Sequence, residues 1–309
     1  MWLIATCGSG APGIERAAEI LREGGTALDA VEEGVRLVES NADDDSVGLG
    51  GLPNVLGQVE LDASIMDGRT LSAGAVGALQ GYEHPISVAR CVMERTAHVL
   101  LVGEGARHFA FEMGFLARDL LTADAQHKWR KTLRQFLPDE QIGPTLHRQE
   151  LLPVVQNLMQ ERLRHGTVNF LARDQRGDVA CGVSTSGWAW KYPGRLGDSA
   201  LIGAGNYADN RYGAAACTHY GELAIRTGTA RSVVLYMKMG MSIEEACREA
   251  MRDLRPLLQT CGGAMTVVAV DQSGKPFGIT SSSEEEPYLV LAEGAGSVQP
   301  MEHMRFPVE

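Results

Sequence analysis

The residue with the clearest chemical potential is Thr167, which follows His165 and Gly166 and begins an apolar run. A threonine hydroxyl is a weak nucleophile that needs a base within hydrogen-bonding reach, and its own α-amine can serve once it is free. That amine has a reference pKa of about 7.7–8.0, so a sizeable fraction is neutral near pH 7. Glycine tolerates the strained backbone that would expose the Gly166 carbonyl to attack. The triplet is therefore a candidate for a self-cleaving threonine nucleophile, although the pattern alone favours an ordinary strand start, because a Gly-Thr-Val run begins many strands.

Two opposite charges, Arg195 and Asp198, stand between glycines in residues 193–198. Glycines let a ligand approach the backbone closely. Arginine holds a carboxylate through two parallel hydrogen bonds, and an aspartate holds an ammonium group. The hydroxyl-rich residues 184–187 end a predicted strand just before them. The pattern indicates recognition of an α-amino acid, with a simple surface ion pair as the alternative.

A third candidate, Thr218, follows the run of small residues 214–217. We predict that it stands at the start of a helix. Backbone N–H groups at a helix N-terminus stabilise developing negative charge. Thr218 is therefore a candidate for stabilising an oxyanion.

Other chemistries find weaker support in the residues. The glycine-rich runs 47–51 and 203–205 lack the Lys-Ser/Thr pair of a phosphate loop. His98 and His108 have no metal-ligand spacing, and the six cysteines form no CxxC pair. Cys181 lies in a strand pattern, which favours an inert packed thiol over a nucleophile. We expect neither a metal nor another cofactor.

Composition narrows the partners of the 309-residue chain. Hydrophobic residues make up 44% and charged residues 22%, which is typical of a globular protein. The net charge of −11 disfavours binding to nucleic-acid phosphates. The sequence has no apolar run of about 18 residues, and its start lacks a basic region, so we expect neither a membrane span nor a secretory signal. We predict a soluble cytoplasmic protein with reduced thiols.

Periodicity predicts an α+β fold, because helices and strands come in blocks rather than in strict alternation. Helices are predicted over residues 14–24, 27–40, 86–97, 103–113 and 219–239, and from Ser242, whose Glu245 completes a capping box, to about residue 254. Strands are predicted over residues 61–66, 71–79, 168–173, 179–184, 265–270, 277–281 and 287–292. The polar residues 116–165 are compatible with short amphipathic helices but show no obvious core element, and we interpret them as a mobile linker.

Taken together, several blocks resemble the N-terminal-nucleophile asparaginases: the glycosylasparaginases, plant-type asparaginases and isoaspartyl peptidases. The matching blocks span most of residues 14–255 and are residues 24–31, 48–54, 61–68, 74–77, 165–167, 184–187, 193–198, 203–205 and 209–210. The block 100–106 and the leading His165 favour the glycosylasparaginase branch. The resemblance implies a four-layer αββα sandwich in one domain, cut into 1–166 and 167–309, and a homodimer of cleaved pairs.

The resemblance also implies roles for individual residues. Thr167 would be the nucleophile, hydrogen-bonded by Thr185. Arg195 would hold the substrate α-carboxylate and Asp198 its α-ammonium group. Thr218 and the backbone N–H of residue 219 would form the oxyanion hole. The carbonyl of Gly221 would accept a hydrogen bond from the substrate ammonium group.

Three departures from the resemblance concern the leaving group more than the reaction. Gly166 stands where glycosylasparaginases carry aspartate, as in the plant-type branch. Glycosylasparaginases also carry an N-terminal tryptophan against the substrate, and the equivalent place in this chain falls near Gly8 and Ser9. His219 replaces the glycine that follows the oxyanion threonine.

The expected function is cleavage of the side-chain amide of an N4-substituted asparagine. The leading substrate is N4-(β-N-acetylglucosaminyl)-L-asparagine, followed by L-asparagine or β-aspartyl dipeptides. A nucleotide-binding protein, an uncleaved binding scaffold and a site-specific protease stay as alternatives.

Overall fold

The computed structural model describes residues 1–6, 10–159, 166–283, 286–292 and 294–308, and shows a mixed α/β fold built on two β-sheets. The larger sheet has eight strands in the order β12-β11-β1-β5-β6-β2-β3-β4. Its strands, in chain order, are β1 (Trp2–Ala5), β2 (Leu61–Asp67), β3 (Ala73–Leu79), β4 (Leu100–Val102), β5 (Val168–Arg173), β6 (Val179–Thr185), β11 (Tyr288–Leu291) and β12 (Gln299–Met301).

The smaller sheet has five strands in the order β13-β10-β9-β8-β7. Its strands are β7 (Asn206–Asp209), β8 (Gly213–His219), β9 (Met265–Asp271), β10 (Pro276–Thr280) and β13 (Met304–Arg305). The two hairpins β5–β6 and β9–β10 turn at the Gly-containing loops that the sequence predicts. The strand predictions over residues 168–173, 179–184 and 265–270 are therefore confirmed to within one residue.

Helices α1 (Ala11–Arg22), α2 (Ala27–Glu39) and α3 (Pro85–Arg95) pack on the larger sheet. Helix α2 begins at a capping box, in which the Thr26 hydroxyl accepts from the N–H of Asp29 while the Asp29 carboxylate accepts from the N–H of Thr26. The buried residues of these helices form one apolar cluster with those of β1, β2, β3, β5 and β6. Helix α4 (Gly103–Glu112) contributes Ala106, Phe109 and Ala110 to it.

Helices α7 (Gly221–Thr227), α8 (Thr229–Lys238) and α9 (Ile243–Cys261) form a second cluster with β8, β9 and β10. The capping box of Ser242 and Glu245 is confirmed at the start of α9. The single helix predicted over residues 219–239 is wrong, because Gly228 adopts a left-handed conformation that ends α7 and begins α8.

A third apolar cluster joins the two sheets directly. It combines residues of β1, β2, β5, β6 and β11 with residues of β7, β8 and β9. Small side chains on β8, including Ala214 and Ala216, are fully buried there. The two sheets therefore share an apolar interface on one face and contact helices on the other.

The segment predicted as a mobile linker contains ordered elements in its described part. Helices α5 (Ala123–Leu133) and α6 (Leu152–Met159) and two short 3-10 helices occupy it. Trp129 and Leu133 are buried against Val55 and Trp190, and the Trp129 indole donates to the carbonyl of Val55 at 3.1 Å. Sparse apolar residues thus suffice for a small separate core that covers the glycine-rich loop.

Candidate active site

Thr167 and Gly166 directly precede β5, and both are half-buried. The carbonyl of Thr167 accepts a hydrogen bond of 3.3 Å from the hydroxyl of Thr6, just after β1. The same hydroxyl accepts from the N–H of Asn169 at 2.9 Å. Backbone contacts with the N-terminal strand therefore fix the start of β5.

Thr185, the last residue of β6, contacts the carbonyl that would be cut. Its hydroxyl donates to the Gly166 carbonyl oxygen at 2.5 Å and accepts from the N–H of Gly187 at 2.8 Å. The sequence resemblance predicts that Thr185 hydrogen-bonds the Thr167 hydroxyl. The contact that the structure shows is instead with the carbonyl of the preceding residue, Gly166. A donor on this carbonyl oxygen would stabilise negative charge there during attack on its carbon.

Ser46 explains why the residue before Thr167 is glycine. A Cβ atom at Gly166 would overlap both the Oγ and the Cβ of Ser46. Ser46 is itself fixed, since its hydroxyl donates to Asp44 at 2.5 Å and its carbonyl accepts from the N–H and hydroxyl of Ser186. Sequence reasoning missed Ser46, because it lies 120 positions before Gly166 in a loop without a chemical motif.

Arg195 lines the pocket and forms an ion pair with another residue of the protein, Glu222. Its Nε and Nη2 atoms donate to the two carboxylate oxygens of Glu222 at 2.9 and 2.7 Å, and its guanidinium carbon lies 4.5 Å from the ring centroid of Trp188. A Cβ atom at Gly187 or Gly197 would lie 3.2 Å from Nη1. The partner is thus Glu222 rather than a surface aspartate, and one edge of the guanidinium is occupied.

Buried charges hold the loop that carries this arginine. Both carboxylate oxygens of Glu60 accept from the N–H of Gly194, and Asp62 accepts from the N–H of Gly197 at 3.2 Å. The ammonium of Lys191 is almost fully buried and donates to the carbonyl of Glu60 at 3.1 Å. No local signal in the sequence predicts this group, because its members meet only after β2 pairs with β6.

Asp198 is 6% exposed and begins a short 3-10 helix. Burial raises the pKa of its carboxyl to about 7, against the lowering influence of Arg195. A Cβ atom at Gly221 would lie 2.7 Å from Asp198 Oδ1 and 2.8 Å from its backbone nitrogen. Gly221 is therefore required for α7 to begin this close to the aspartate.

Thr218 and His219 end strand β8, so the prediction that Thr218 begins a helix is wrong; α7 starts at Gly221. The small residues before them were not recognised as a strand because they lack the branched and aromatic side chains that mark one. His219 has φ +88°, and its Nδ1 atom lies 3.2 Å from Thr218 Oγ1. Burial lowers the pKa of the imidazole.

These residues line one small pocket with an empty volume of about 220 Å³. Its lining residues are Gly166, Thr167, Thr185, Gly187, Trp188, Arg195, Gly197, Asp198, Ser199, His219 and Gly221. Thr218 is buried next to it, 8% exposed. His165, Gly8 and Ser9 lie outside the described residues. The pocket thus brings together the candidate nucleophile and the two candidate charge-recognition residues.

A larger cleft of about 530 Å³ lies elsewhere, at the start of α2. Asp67, Asp174 and Asp178 line it, and each of these carboxylates already accepts hydrogen bonds from its own surroundings. The hydroxyl in its lining belongs to Thr26, which caps α2 by accepting from the N–H of Asp29, so the Thr167 pocket is the better candidate for chemistry.

Three further findings bear on the sequence predictions. Across the described ranges, no group of three or more His, Cys, Asp or Glu side chains has the arrangement of a metal site. Cys181 is fully buried on β6, and burial raises the pKa of its thiol. In the part of the chain that the structure describes, no helix is long and apolar enough to span a membrane.

A candidate threonine nucleophile beside candidate recognition groups for a carboxylate and an ammonium is the arrangement expected of an amidohydrolase that acts on an amino acid. A family model described as Asparaginase matches residues 12–295. The N(4)-(beta-N-acetylglucosaminyl)-L-asparaginase of Elizabethkingia miricola is 41% identical over 80% of this chain and 67% of its own length. The isoaspartyl peptidase of Salmonella typhimurium is 39% identical over 84% and 80%, and the plant-type L-asparaginase of Pyrococcus furiosus 37% over 87% and 85%. The chain belongs to this asparaginase family.

Proposed function

We propose that the protein is a self-cleaving threonine amidohydrolase that cuts the side-chain amide of an L-asparagine derivative and releases L-aspartate. The observation that carries the proposal is the 2.5 Å hydrogen bond from Thr185 to the Gly166 carbonyl, in the same pocket as Arg195 and Asp198. The polarised peptide bond and the candidate recognition groups thus meet at Thr167.

Self-cleavage comes first in this mechanism. The Thr167 hydroxyl attacks the carbonyl carbon of Gly166, the peptide C–N bond breaks, and the hydroxyl proton passes to the nitrogen. The resulting ester is hydrolysed by water, which leaves a carboxylate on Gly166 and a free α-amine on Thr167. Fragments 1–166 and 167–309 result, and the new amine becomes the base for the second reaction.

Amide hydrolysis follows with the same hydroxyl. The Thr167 hydroxyl attacks the side-chain carbonyl, and the α-amine takes its proton and passes it to the leaving nitrogen. The Thr218 hydroxyl and the N–H of His219 stabilise the oxyanion. The bond to nitrogen breaks, a β-aspartyl ester forms, and water releases L-aspartate from it. Arg195 holds the α-carboxylate, while Asp198 and the carbonyl of Gly221 hold the α-ammonium group.

We infer N4-(β-N-acetylglucosaminyl)-L-asparagine as the leading substrate, with L-asparagine and β-aspartyl dipeptides as alternatives. The similarity to the Elizabethkingia enzyme supports the glycosylated asparagine, and the similarity to isoaspartyl peptidases supports the β-aspartyl dipeptides. The recognition groups read only the aspartyl part, so an N-acetylated asparagine should not be turned over. Equal turnover of free and N-acetylated asparagine would remove Arg195 and Asp198 from these roles.

The proposal extends to the molecule as a whole. We infer a single four-layer αββα domain, supported by the two helix-on-sheet clusters and the cluster between the sheets. We also infer a cytoplasmic homodimer of cleaved pairs that needs no cofactor. Residues 160–165, before the proposed cut, belong to the segment predicted as a linker.

A denaturing gel of the purified protein tests the central step. Wild-type protein should separate into fragments 1–166 and 167–309, whereas the Thr167→Ala variant should stay at full length. Amide hydrolysis should appear together with the fragments. Hydrolysis by uncut protein would exclude the terminal amine as base, and a chain that neither cuts nor hydrolyses would be an uncleaved binding scaffold.

A further inference from the structure

His219 occupies a backbone conformation that disfavours its side chain. Its φ of +88° lies in the left-handed region, where a residue with a Cβ is strained and glycine is not. Such backbone strain is costly and is concentrated at functional sites. The conformation therefore indicates that the imidazole makes a contact that a glycine could not make.

That contact is with the hydroxyl of the preceding threonine. His219 Nδ1 lies 3.2 Å from Thr218 Oγ1, within hydrogen-bonding distance, and His219 also lines the pocket that contains Thr167. Burial lowers the pKa of the ring, so the neutral imidazole predominates near pH 7. A neutral imidazole carries one hydrogen, on either Nδ1 or Nε2.

The position of that hydrogen decides what the threonine can do. A hydroxyl has one hydrogen to donate and lone pairs to accept with. If Nδ1 is an acceptor, the hydroxyl hydrogen of Thr218 points to the ring and cannot be donated to the oxyanion. If Nδ1 carries the hydrogen, it donates to Thr218 Oγ1, and the hydroxyl hydrogen can point into the pocket.

We propose that His219 is a positioning residue whose Nδ1–H donates to Thr218 Oγ1 and so directs the Thr218 hydroxyl toward the oxyanion. The catalytic consequence rests on the proposed amide hydrolysis, whereas the tautomer itself does not. The inference gives the strained backbone a function, because the histidine supplies a donor that a glycine cannot supply.

Two variants of His219, nearly isosteric with each other, separate hydrogen-bond donation to Thr218 from the mere presence of a side chain. His219→Asn places an amide that can donate near the Nδ1 position, and His219→Asp places a carboxylate that can only accept. Asparagine and aspartate also tolerate positive φ better than most residues. We expect kcat of His219→Asn to stay within about fivefold of wild type. The His219→Asp variant should lose kcat by about 10²-fold, the typical effect of one lost oxyanion donor, with little change in KM.

A double-mutant cycle with Thr218→Val separates the hydrogen bond from the charge of the aspartate. The carboxylate repels an oxyanion in both backgrounds, so the ratio of kcat between the asparagine and aspartate variants should be clearly smaller without the Thr218 hydroxyl than with it. An equal ratio in the two backgrounds would overturn the proposal, as would equal kcat values of the two variants in the wild-type background.

Nitrogen NMR of the histidines gives a readout that needs no substrate. In uncut Thr167→Ala protein, the His219 signals, assigned by their loss in His219→Asn, should show a protonated Nδ1 and an unprotonated Nε2. The opposite tautomer would overturn the proposal whether or not any amide is hydrolysed. Absence of hydrolysis with the expected tautomer would instead contradict the proposed function alone.

Discussion

At the scale of single residues, Gly166 depends on the space around it. The side chain of Ser46 fills the position that a Cβ atom at residue 166 would take. We therefore predict that Gly166→Ala slows self-cleavage by more than about tenfold, because the Gly166 carbonyl must move away from the Thr185 hydroxyl, and a lost oxyanion donor costs at least this much. A time course on denaturing gels measures the rate.

Matched variants make this test specific. The double variant Gly166→Ala with Ser46→Gly should cut faster than Gly166→Ala alone, because the overlap is removed. Gly105→Ala is the control, since a Cβ atom there meets no other atom within 4 Å. If Gly166→Ala cuts as fast as wild type, the close approach of Ser46 has no part in cleavage.

Asp198 gives the pH dependence of the proposed reaction. Its carboxyl has a pKa of about 7, and only the ionised form can pair with a substrate ammonium group. The Thr167 α-amine, with a reference pKa of about 7.7–8.0, must also be deprotonated. Both groups become protonated, and therefore inactive, as the pH falls. Once the pH is below both pKa values, kcat/KM should therefore drop about 10²-fold per pH unit.

Removing one titration separates the two groups. In Asp198→Asn, kcat/KM should be lower at every pH and should fall only about tenfold per pH unit in the same acidic range. The measurement is a kcat/KM profile with L-asparagine from pH 5 to pH 9. An unchanged slope in Asp198→Asn would show that this carboxyl does not titrate in the free enzyme.

How much of the site the sequence predicts depends on how local each signal is. Thr167, Arg195 and Asp198 stand in short motifs, and the pocket contains all three. Ser46 and Glu222 carry no motif of their own, and only the fold brings them to Gly166 and Arg195. Sequence reasoning therefore finds the residues that could react and misses those that constrain them.

At the scale of elements, the buried charges beneath the loop 193–198 are the least replaceable part of the site. Lys191 lies with its ammonium next to the buried Glu60, and Glu60 in turn holds the N–H of Gly194. Removing one partner of a buried pair costs about 3–5 kcal/mol, because the other charge is left uncompensated. We predict that Lys191→Met lowers the free energy of unfolding by about this amount.

The double variant of Lys191→Met with Glu60→Gln tests the cause. Neutralising Glu60 removes one of the two buried carboxylates that act on Lys191, the other being Asp62, so the double variant should be more stable than Lys191→Met alone. Urea unfolding in the Thr167→Ala background measures both, because that chain stays in one piece. A double variant as unstable as the sum of the single variants would show that the two groups do not interact.

The elements themselves were predicted unevenly, for physical reasons. Strands β5, β6 and β9 have branched apolar residues and turn signals at their ends, and they were predicted closely. Strand β8 consists of glycine, alanine, cysteine and threonine up to its last residue, His219, and its burial between two layers is a tertiary effect. Short helices within residues 116–159 are compatible with the sequence, but their packing was not predicted because their few apolar side chains match partners in a distant loop.

At the scale of the whole molecule, the proposed cut falls between strands that belong to one sheet. Strand β1, from the first fragment, lies between β11 and β5 of the second, with registers such as Ile4 opposite Val290 and Leu171. Strand β2 of the first fragment pairs with β6 of the second over six residues. The hydrogen-bond ladders and the apolar clusters are thus shared by both fragments.

We therefore predict that cleavage does not release the fragments. The cut protein should elute from a sizing column at the volume of the uncut Thr167→Ala variant, and native mass spectrometry should find both fragments in one particle. Separation should require a denaturant, because it would expose the strand edges and buried side chains of both pieces to water. Fragments that elute apart in native buffer would contradict the shared sheet, since neither piece contains a complete larger sheet. Each fragment produced alone should also fail to fold, because β5 and β6 would lack the neighbours that β1 and β2 supply on either side.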